Sequence, residues 1–195
     1  MTQPHAKIIA LVGLAGSGKS SAVEYLTKRG FPKVYFGGVI YKAMDEAGIE
    51  LTWDNQQKFR EEIRQREGKD FVIRRVIKNI RDLINAGQNK IVLDGLYTWS
   101  EYKILKHEFP GQVVVIAIVT PKHLRYQRMV KRPERPMQPR EVDQRDWSEI
   151  ENLEKGGPIA IADYFIINDS DLTQLHQKID AVTHDAHFCK SPEQC

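Results

Sequence analysis

Residues 13–20 read G-L-A-G-S-G-K-S, a full match to the phosphate-binding loop pattern G-x-x-x-x-G-K-[ST]. The apolar run I-I-A-L-V at 8–12 precedes it and indicates a buried strand, and S-A-V-E-Y-L at 21–26 indicates the opening of a helix. In such a strand–loop–helix unit, glycines let backbone N–H groups wrap a phosphate, and the helix N-terminus adds partial positive charge. The start of the chain therefore predicts a nucleoside triphosphate site.

Two side chains of this loop are expected to do more than bind. Lys19 can reach the β- and γ-phosphates of ATP, and the Ser20 hydroxyl can ligate Mg²⁺. A glycine-rich turn without a ligand is the alternative, but the flanking strand and helix favour the phosphate site. The predicted nucleotide contacts are the loop, the start of the helix and one distant asparagine: Gly13, Leu14, Ala15, Gly16, Ser17, Gly18, Lys19, Ser20, Ser21 and Asn168.

Composition predicts an ordinary globular protein. The 195 residues are 41% hydrophobic and 28% charged. No apolar run reaches the roughly 18 residues of a membrane span, and residues 1–7 lack a signal-peptide core. The only cysteines, Cys189 and Cys195, imply no disulfide framework. A cytoplasmic protein without membrane contact is expected.

Charge is distributed unevenly along the chain, although the net charge is only +3. Residues 122–145 carry eight Lys or Arg against three acids, whereas 146–195 carry ten acids against three Lys. Polynucleotide binding would require interleaved aromatic residues, and Tyr126 alone serves, so nucleic acid is disfavoured. We predict instead an arginine-bearing lid over the phosphates at 125–147, with a plain linker as the alternative.

Three prolines within 133–139 predict that no regular helix forms over 131–145. Because the excess positive charge of this segment lacks matched acids within it, we expect the segment to be mobile without nucleotide and ordered with it.

The remaining pattern predicts a three-layer α/β/α fold of the P-loop NTPase type, with a five-stranded parallel sheet and a small lid. Thr98 opens a capping box with Glu101, and Thr120 is expected to cap a helix whose first residue is Pro121. The strands are predicted at 7–12, 33–36, 90–94, 113–119 and 164–168, and further helices at 54–67, 70–86 and 170–183. One domain is expected over 1–183, with an acceptor-binding helical insertion at 38–88 and a flexible tail at 184–195.

Catalysis of phosphoryl transfer needs positioning and charge neutralisation. Asp94 ends the strand I-V-L-D before Gly95, where a carboxylate would hold Mg²⁺ together with Ser20; a loop-capping role is its alternative. Six arginines could neutralise the transferred phosphoryl group, although some will only be solvated: Arg125, Arg128, Arg132, Arg135, Arg140 and Arg145. The predicted catalytic residues are Lys19, Asp94, Arg128, Arg132 and Arg145.

Three details of these assignments depend on local structure. Arg128 and Arg132 share a face only if the helix from Pro121 continues past residue 131. The turn at 168–169 either contacts the nucleotide base or provides a helix cap at Asp169 or Ser170. A metal group formed by tail residues matches no zinc spacing and is not predicted: His184, His187, Cys189 and Cys195.

The chain resembles the nucleoside-monophosphate-kinase-like P-loop enzymes, and more narrowly dephospho-CoA kinases and an archaeal-type family related to them. The resemblance covers about 7–179 and is weakest in the middle third. Its motifs are the phosphate loop, D-G-L at 94–96, R-D-W-S-E at 145–149 and A-D-Y-F-I-I-N at 162–168. It implies an ATP- and Mg²⁺-dependent phosphotransferase acting on a small nucleotide-like acceptor.

The acceptor half departs from that family pattern. Gly38 stands where an aspartate is usual, and Tyr41 and Tyr97 stand where arginines are usual. Two alternatives therefore stay open beside the dephospho-CoA-kinase-like activity: a nucleoside or deoxynucleoside monophosphate kinase, and a nucleotide-binding regulatory protein without transfer. A GTPase is disfavoured because N-K-I-V at 89–92 fails the N-K-x-D guanine signature at its last position.

Overall fold

The computed structural model describes residues 6–68, 70–133 and 135–187, in which five parallel strands form one sheet. The sheet order is β2-β3-β1-β4-β5. The strands are β1 (Lys7–Val12), β2 (Lys33–Tyr35), β3 (Lys90–Asp94), β4 (Val113–Val119) and β5 (Tyr164–Ile167). The predicted fold class is confirmed.

Helices connect the strands and cover the sheet. They are α1 (Lys19–Lys28), α2 (Phe36–Glu46), α3 (Trp53–Glu67), α4 (Phe71–Asn85), α5 (Trp99–Glu108), α6 (Lys122–Val130), α7 (Pro139–Glu151), α8 (Gly156–Ala160) and α9 (Leu172–Asp185). No helix in the described ranges has the length and hydrophobicity to cross a bilayer.

The core lies on both faces of the central strands. Along β1, Ile8, Ala10 and Val12 belong to one apolar cluster, and Ile9 and Leu11 belong to the other. Burial on both faces explains why β1, β3 and β4 are continuous apolar runs instead of alternating ones. Because all strands are parallel, their carboxyl ends meet at one edge, and the loop after β1 lies there.

Part of the helical insertion predicted at 38–88 belongs to the core of the α/β fold. α2, α3 and α4 fill the stretch between β2 and β3. α4 buries Phe71, Ile73 and Ile80 in the same cluster as Ile91 and Leu93 of β3, so it is part of the α/β core. The acceptor-binding role of this region stays a prediction.

Two strands end one residue before the predicted position. β2 ends at Tyr35, because Phe36 is the first residue of α2 and is 1% exposed. β5 ends at Ile167, and the Asn168 N–H bonds the Val119 carbonyl oxygen at 2.7 Å just beyond the strand. The capping box at Thr98 is confirmed.

The prediction that 131–145 cannot be helical is wrong from Pro139 onward. α7 starts at this proline, since the first position of a helix needs no N–H donor. Gln138 and Glu141 form a capping box at its start. The irregular stretch is therefore confined to 131–138, of which Glu134 lies outside the described residues.

Two predicted helix caps are also wrong. α6 is capped at Pro121, while the Thr120 hydroxyl lies 2.9 Å from the carbonyl oxygens of Ser17 and Asn168. At α9, Asp171 accepts the Gln174 N–H at 2.9 Å, so the cap falls beyond the predicted Asp169 or Ser170. α9 continues to residue 185, and the rest of the predicted tail from 188, with both cysteines, lies outside the described residues.

Candidate phosphate-binding and catalytic site

The phosphate loop spans 13–18 between β1 and α1, at the carboxyl edge of the sheet. Gly16 has a left-handed φ of +78°, and a Cβ there would lie 2.8 Å from the Arg125 carbonyl oxygen of α6. Only glycine fits this combination of backbone angle and close approach. α1 begins at Lys19, so the positive end of the helix dipole lies at the same edge.

Two carbonyl oxygens of the phosphate loop accept hydrogen bonds from side chains of α6 and of the turn after β5. Arg125 Nη1 donates to the Ala15 carbonyl oxygen at 3.0 Å. The Ser17 carbonyl oxygen accepts from Asn168 Nδ2 at 2.8 Å and has the Thr120 hydroxyl 2.9 Å away. In a trans peptide the C=O and the following N–H point in opposite directions. Holding these carbonyls therefore turns the next N–H groups toward the open side of the loop.

Those N–H groups belong to Gly16 and Gly18. Neither donates a hydrogen bond to another of the residues that the structure describes, whereas the Ser17 N–H closes onto the Leu14 carbonyl oxygen at 3.1 Å. Free N–H donors beside a helix N-terminus are the arrangement that binds phosphate oxygens.

Lys19 and Asp94 meet at the sheet edge. Lys19 Nζ is hydrogen-bonded to Asp94 Oδ1, and the two side chains are only 15% and 14% exposed. The register of β1 on β3 pairs Leu11 with Asp94, so the carboxylate stands beside the strand that leads into the loop. In the loop that follows Asp94, the N–H groups of Tyr97 and Thr98 are bound by Glu101.

The oxygen donors at this edge suit Mg²⁺. That ion keeps several waters and is usually held by one or two carboxylates together with substrate phosphates. Asp94 offers a carboxylate beside the loop, and Ser20 offers a hydroxyl in the first turn of α1. Within the described ranges, no group of three or more His, Cys, Asp or Glu side chains could hold a metal by itself. Asp94 and Ser20 thus stay the predicted ligands.

A buried ion pair joins the predicted lid to the loop. Arg125 of α6 donates to both carboxylate oxygens of Asp146 in α7, at 2.9 and 2.7 Å. The two residues are 5% and 6% exposed. The same guanidinium donates to the Ala15 carbonyl oxygen, so one hydrogen-bond network joins α6, α7 and the phosphate loop. Arg125 and Asp146 both lie outside 131–145, so this pair does not test the expectation that the positive charge of 131–145 lacks matched acids within that segment.

Glu149, one turn further along α7, organises two more cations. Its Oε2 accepts from the buried Lys155 at 2.8 Å, and its Oε1 accepts from Arg145 Nε at 3.0 Å. Burial opposes ionisation of Glu149, but the charges of Lys155 and Arg145 outweigh it and hold the Glu149 pKa below its ordinary value. Burial also lowers the pKa of Lys155, and Glu149 opposes that shift.

Arg145 is presented in a way that suits phosphate binding. Its Nε is bound to Glu149, while Nη1 has only a 3.8 Å contact with the Met137 sulfur, and the side chain is 44% exposed. Glu149 thereby orients the Arg145 guanidinium, while its terminal N–H groups stay available to a phosphate.

The other two predicted catalytic arginines lie elsewhere. Arg128 donates to the carbonyl oxygens of Asn168 and Ser170 at 3.1 and 3.2 Å, so it braces the turn after β5. Arg132 is exposed and makes no hydrogen bond or ion pair with a residue in the described ranges. Because α6 ends at Val130, the two arginines do not share one helix face.

Asn168 does not point toward solvent as a base contact would. It is 4% exposed, and its amide packs on the loop so closely that a Cβ at Gly18 would overlap it. The predicted role of Asn168 in nucleotide binding is therefore indirect in this structure, through the Ser17 carbonyl.

Aromatic residues occupy the predicted acceptor side. The Tyr97 ring packs edge-on against Phe36 with centroids 6.2 Å apart, and Lys155 Nζ lies 5.3 Å from the Tyr97 ring centroid. Burial raises the pKa of Tyr97, so its hydroxyl stays protonated at neutral pH. Tyr41 contacts Tyr35 edge-on, at 6.2 Å. Tyr41 and Tyr97, two of the positions that depart from the resembled family, are thus each packed against another aromatic ring.

Sequence reasoning misses several residues that build this site. It includes Arg125 only as one of six arginines, and it gives no role to Asp146, Glu149 or Lys155. Acids three apart on one helix face, directly after a basic stretch, were the available signal for Asp146 and Glu149. Nothing in the sequence marks Lys155, because its partner is set by the tertiary fold.

This fold and loop define a P-loop protein with a kinase-like architecture. Residues 9–154 match the AAA domain family. A UPF0200 protein of Thermococcus onnurineus is 33% identical over 176 residues, which cover 88% of this chain and 94% of that protein. The chain therefore belongs to the UPF0200 family and to the AAA domain family that its residues 9–154 match.

Solved structures share the fold at lower identity. The structure of TT1252 from Thermus thermophilus has a TM-score of 0.65 at 18% identity, covering 93% of this chain and 98% of that one. A shikimate kinase from Bacteroides thetaiotaomicron has a TM-score of 0.58 at 11% identity, covering 93% and 98%. At these identities the likeness concerns the fold alone.

Proposed function

We propose that this protein is an ATP- and Mg²⁺-dependent phosphotransferase acting on a small nucleotide-like acceptor, similar to dephospho-CoA kinase. The observation that carries the proposal is the phosphate loop whose N–H groups are turned outward beside the Lys19–Asp94 pair. Phosphoryl transfer demands charge neutralisation and positioning, and this edge of the sheet concentrates both.

The loop and Lys19 would hold the β- and γ-phosphates, and Asp94 and Ser20 would hold Mg²⁺. Bound Mg²⁺ supplies charge neutralisation on the phosphate oxygens. Glu149 holds Nε of Arg145 and leaves the rest of its guanidinium exposed, whereas Arg128 already donates to two carbonyl oxygens after β5. Of the six arginines, we therefore assign the transfer step to Arg145.

The acceptor would approach from the side of α2 and the loop after β3. Tyr41 and Tyr97 line that side with rings in place of the arginines of the resembled family. The buried Lys155 lies over the Tyr97 ring, and its charge is already paired with Glu149. Rings at these two positions suit stacking against a ring-bearing acceptor, such as the base of a nucleotide.

Thermal shift with Mg²⁺ and an ATP analogue, followed by candidate acceptors, tests the proposal. A ligand at a hundred times its Kd stabilises a protein by about 2.7 kcal/mol. That corresponds to about 5–11 °C for a chain of this size. Dephospho-CoA and each nucleoside monophosphate are compared, and ADP formation from ATP is then measured with the acceptors that bind.

Lys19→Ala is the matched control, because it removes the charge facing the phosphates without opening the core. Transfer that depends on one acceptor and is lost in Lys19→Ala supports the kinase. Nucleotide binding without transfer to any acceptor would favour the regulatory alternative, and an unchanged turnover in folded Lys19→Ala would exclude the phosphate-loop assignment.

A further inference from the structure

The Arg125–Asp146 pair is buried more deeply than a phosphate contact needs to be. Both side chains are less than 10% exposed, and two nitrogens of the guanidinium donate hydrogen bonds to the carboxylate. Neither group is arranged to touch a nucleotide. The pair nevertheless reaches the site, because Arg125 Nη1 also donates to Ala15 in the loop.

Asp146 belongs to a helix that is firmly seated. Val142, one turn earlier in α7, is fully buried. Asp143 adds a second tie to α6 through Lys122 at 2.7 Å and the Tyr126 hydroxyl. The position of α7 therefore fixes the carboxylate, and the carboxylate fixes the plane of the Arg125 guanidinium.

The orientation of the Arg125 guanidinium affects the phosphate loop at Ala15. Its carbonyl shares a peptide unit with the Gly16 N–H, so the direction of one determines the direction of the other. With Arg125 bound behind the carbonyl, the Gly16 N–H faces the open side of the loop. Without it, a flexible glycine-rich loop can rotate this peptide at little cost.

We propose that Asp146 is a positioning residue: through Arg125 and the Ala15 carbonyl it holds the phosphate loop in its binding conformation, so that helix α7 sets the affinity for nucleotide phosphates. The inference rests on the proposed function, since it concerns the same nucleotide site. It assigns this task to a residue 131 positions after the loop alanine. A purely structural pair would affect folding stability and leave the loop unchanged.

Titration with Mg²⁺ and a fluorescent ADP derivative, which needs no acceptor, tests the proposal. Asp146→Asn removes the charge that orients Arg125, and Arg125→Lys keeps a cation but loses the planar fork that spans Asp146 and Ala15. Loss of a charged hydrogen bond from the loop should weaken ADP binding about tenfold to a hundredfold in both variants. The melting temperature of each variant is measured in parallel.

Asp180→Asn is the matched control. Asp180 pairs with Arg29 at 2.7 Å and with the Tyr25 hydroxyl, so it ties α1 to α9 by a comparable network far along the helix from Lys19. We expect its ADP affinity to stay within about twofold of wild type even where its melting temperature falls. An equal loss of affinity in Asp180→Asn would mean that general destabilisation explains the result.

The outcomes separate this inference from the proposed function. If wild type binds ADP, Lys19→Ala does not, and Arg125→Lys binds as tightly as wild type, the positioning role is wrong while the nucleotide site stands. If wild type itself binds no ADP, both fail. Arg125→Lys keeps the buried charge pair, so it provides a folded variant even if Asp146→Asn does not fold.

Discussion

Replacing Gly16 with alanine should damage both the fold and the nucleotide site, for reasons that a control glycine can separate. Gly16 and Gly48 both have a left-handed φ, +78° and +67°. A Cβ at Gly48 meets nothing within 4 Å, whereas at Gly16 it would lie 2.8 Å from the Arg125 carbonyl oxygen and 3.0 Å from Met129 Cγ. Comparing the two alanine variants therefore separates the free-energy cost of the steric overlap from that of the left-handed backbone conformation.

The magnitudes follow from these contacts. A left-handed alanine costs about 1–2 kcal/mol in either position. Overpacking against a backbone atom, which cannot rotate away, adds about 1–3 kcal/mol at Gly16 only. For a chain of this length 1 kcal/mol changes the melting temperature by about 2–4 °C, so Gly16→Ala should melt about 2–12 °C below Gly48→Ala. ADP affinity should fall by about tenfold or more in Gly16→Ala alone, since the Gly16 N–H is displaced.

Differential scanning calorimetry and ADP titration on both variants check this reasoning. The unfolded-state effect of the added methyl group is the same in each, so it cancels in the comparison. Equal melting temperatures with equal ADP affinity would refute the close packing of the loop on α6. A lower melting temperature with unchanged affinity would refute the link between the Gly16 N–H and phosphate binding.

Three further outcomes are expected. Asp94→Asn should reduce Mg²⁺-dependent nucleotide binding far more than metal-free binding, measured by titration with and without EDTA; equal losses would contradict a metal role. In hydrogen exchange, the backbone of 131–138 should gain protection with an ATP analogue, while 140–151 should be protected in both states. In urea unfolding, wild type should lose stability below pH 4.5 more steeply than Glu149→Gln/Lys155→Met, because the lowered Glu149 pKa gives stabilisation that is present above its ordinary value of 4.5 and lost as pH falls through the lowered one.

The fold was predictable because its signals are local. The runs at 7–12, 90–94 and 113–119 match β1, β3 and β4 residue for residue, since a strand buried on both faces must be apolar throughout. The phosphate loop is equally local, because its glycines are required by the backbone path itself. Thr98 and Glu101 formed their capping box for the same reason.

The errors have two sources: a tertiary contact decides the role of Thr120, and a local helix-start signal was overlooked at Pro139. Thr120 reads as a helix cap, but its hydroxyl is drawn to the Ser17 carbonyl by the adjacent phosphate loop. Pro139 reads as a helix breaker, yet at the first position of α7 it favours the helix. Arg128 donates to the turn after β5, and its predicted role in phosphoryl transfer stays a prediction. The partner of Thr120 lies about a hundred residues away, so no local pattern indicates it, whereas the capping box of Gln138 and Glu141 beside Pro139 is a local signal that sequence reasoning did not use.

Two acids on one face of α7 hold three cations in this part of the chain. Asp146 and Glu149 are three residues apart and lie on the same buried face of the helix, where the first orients Arg125 and the second orients Arg145 and Lys155. Arg125, Arg145 and Lys155 are therefore held by acids of one helix, and sequence reasoning gave neither acid a role.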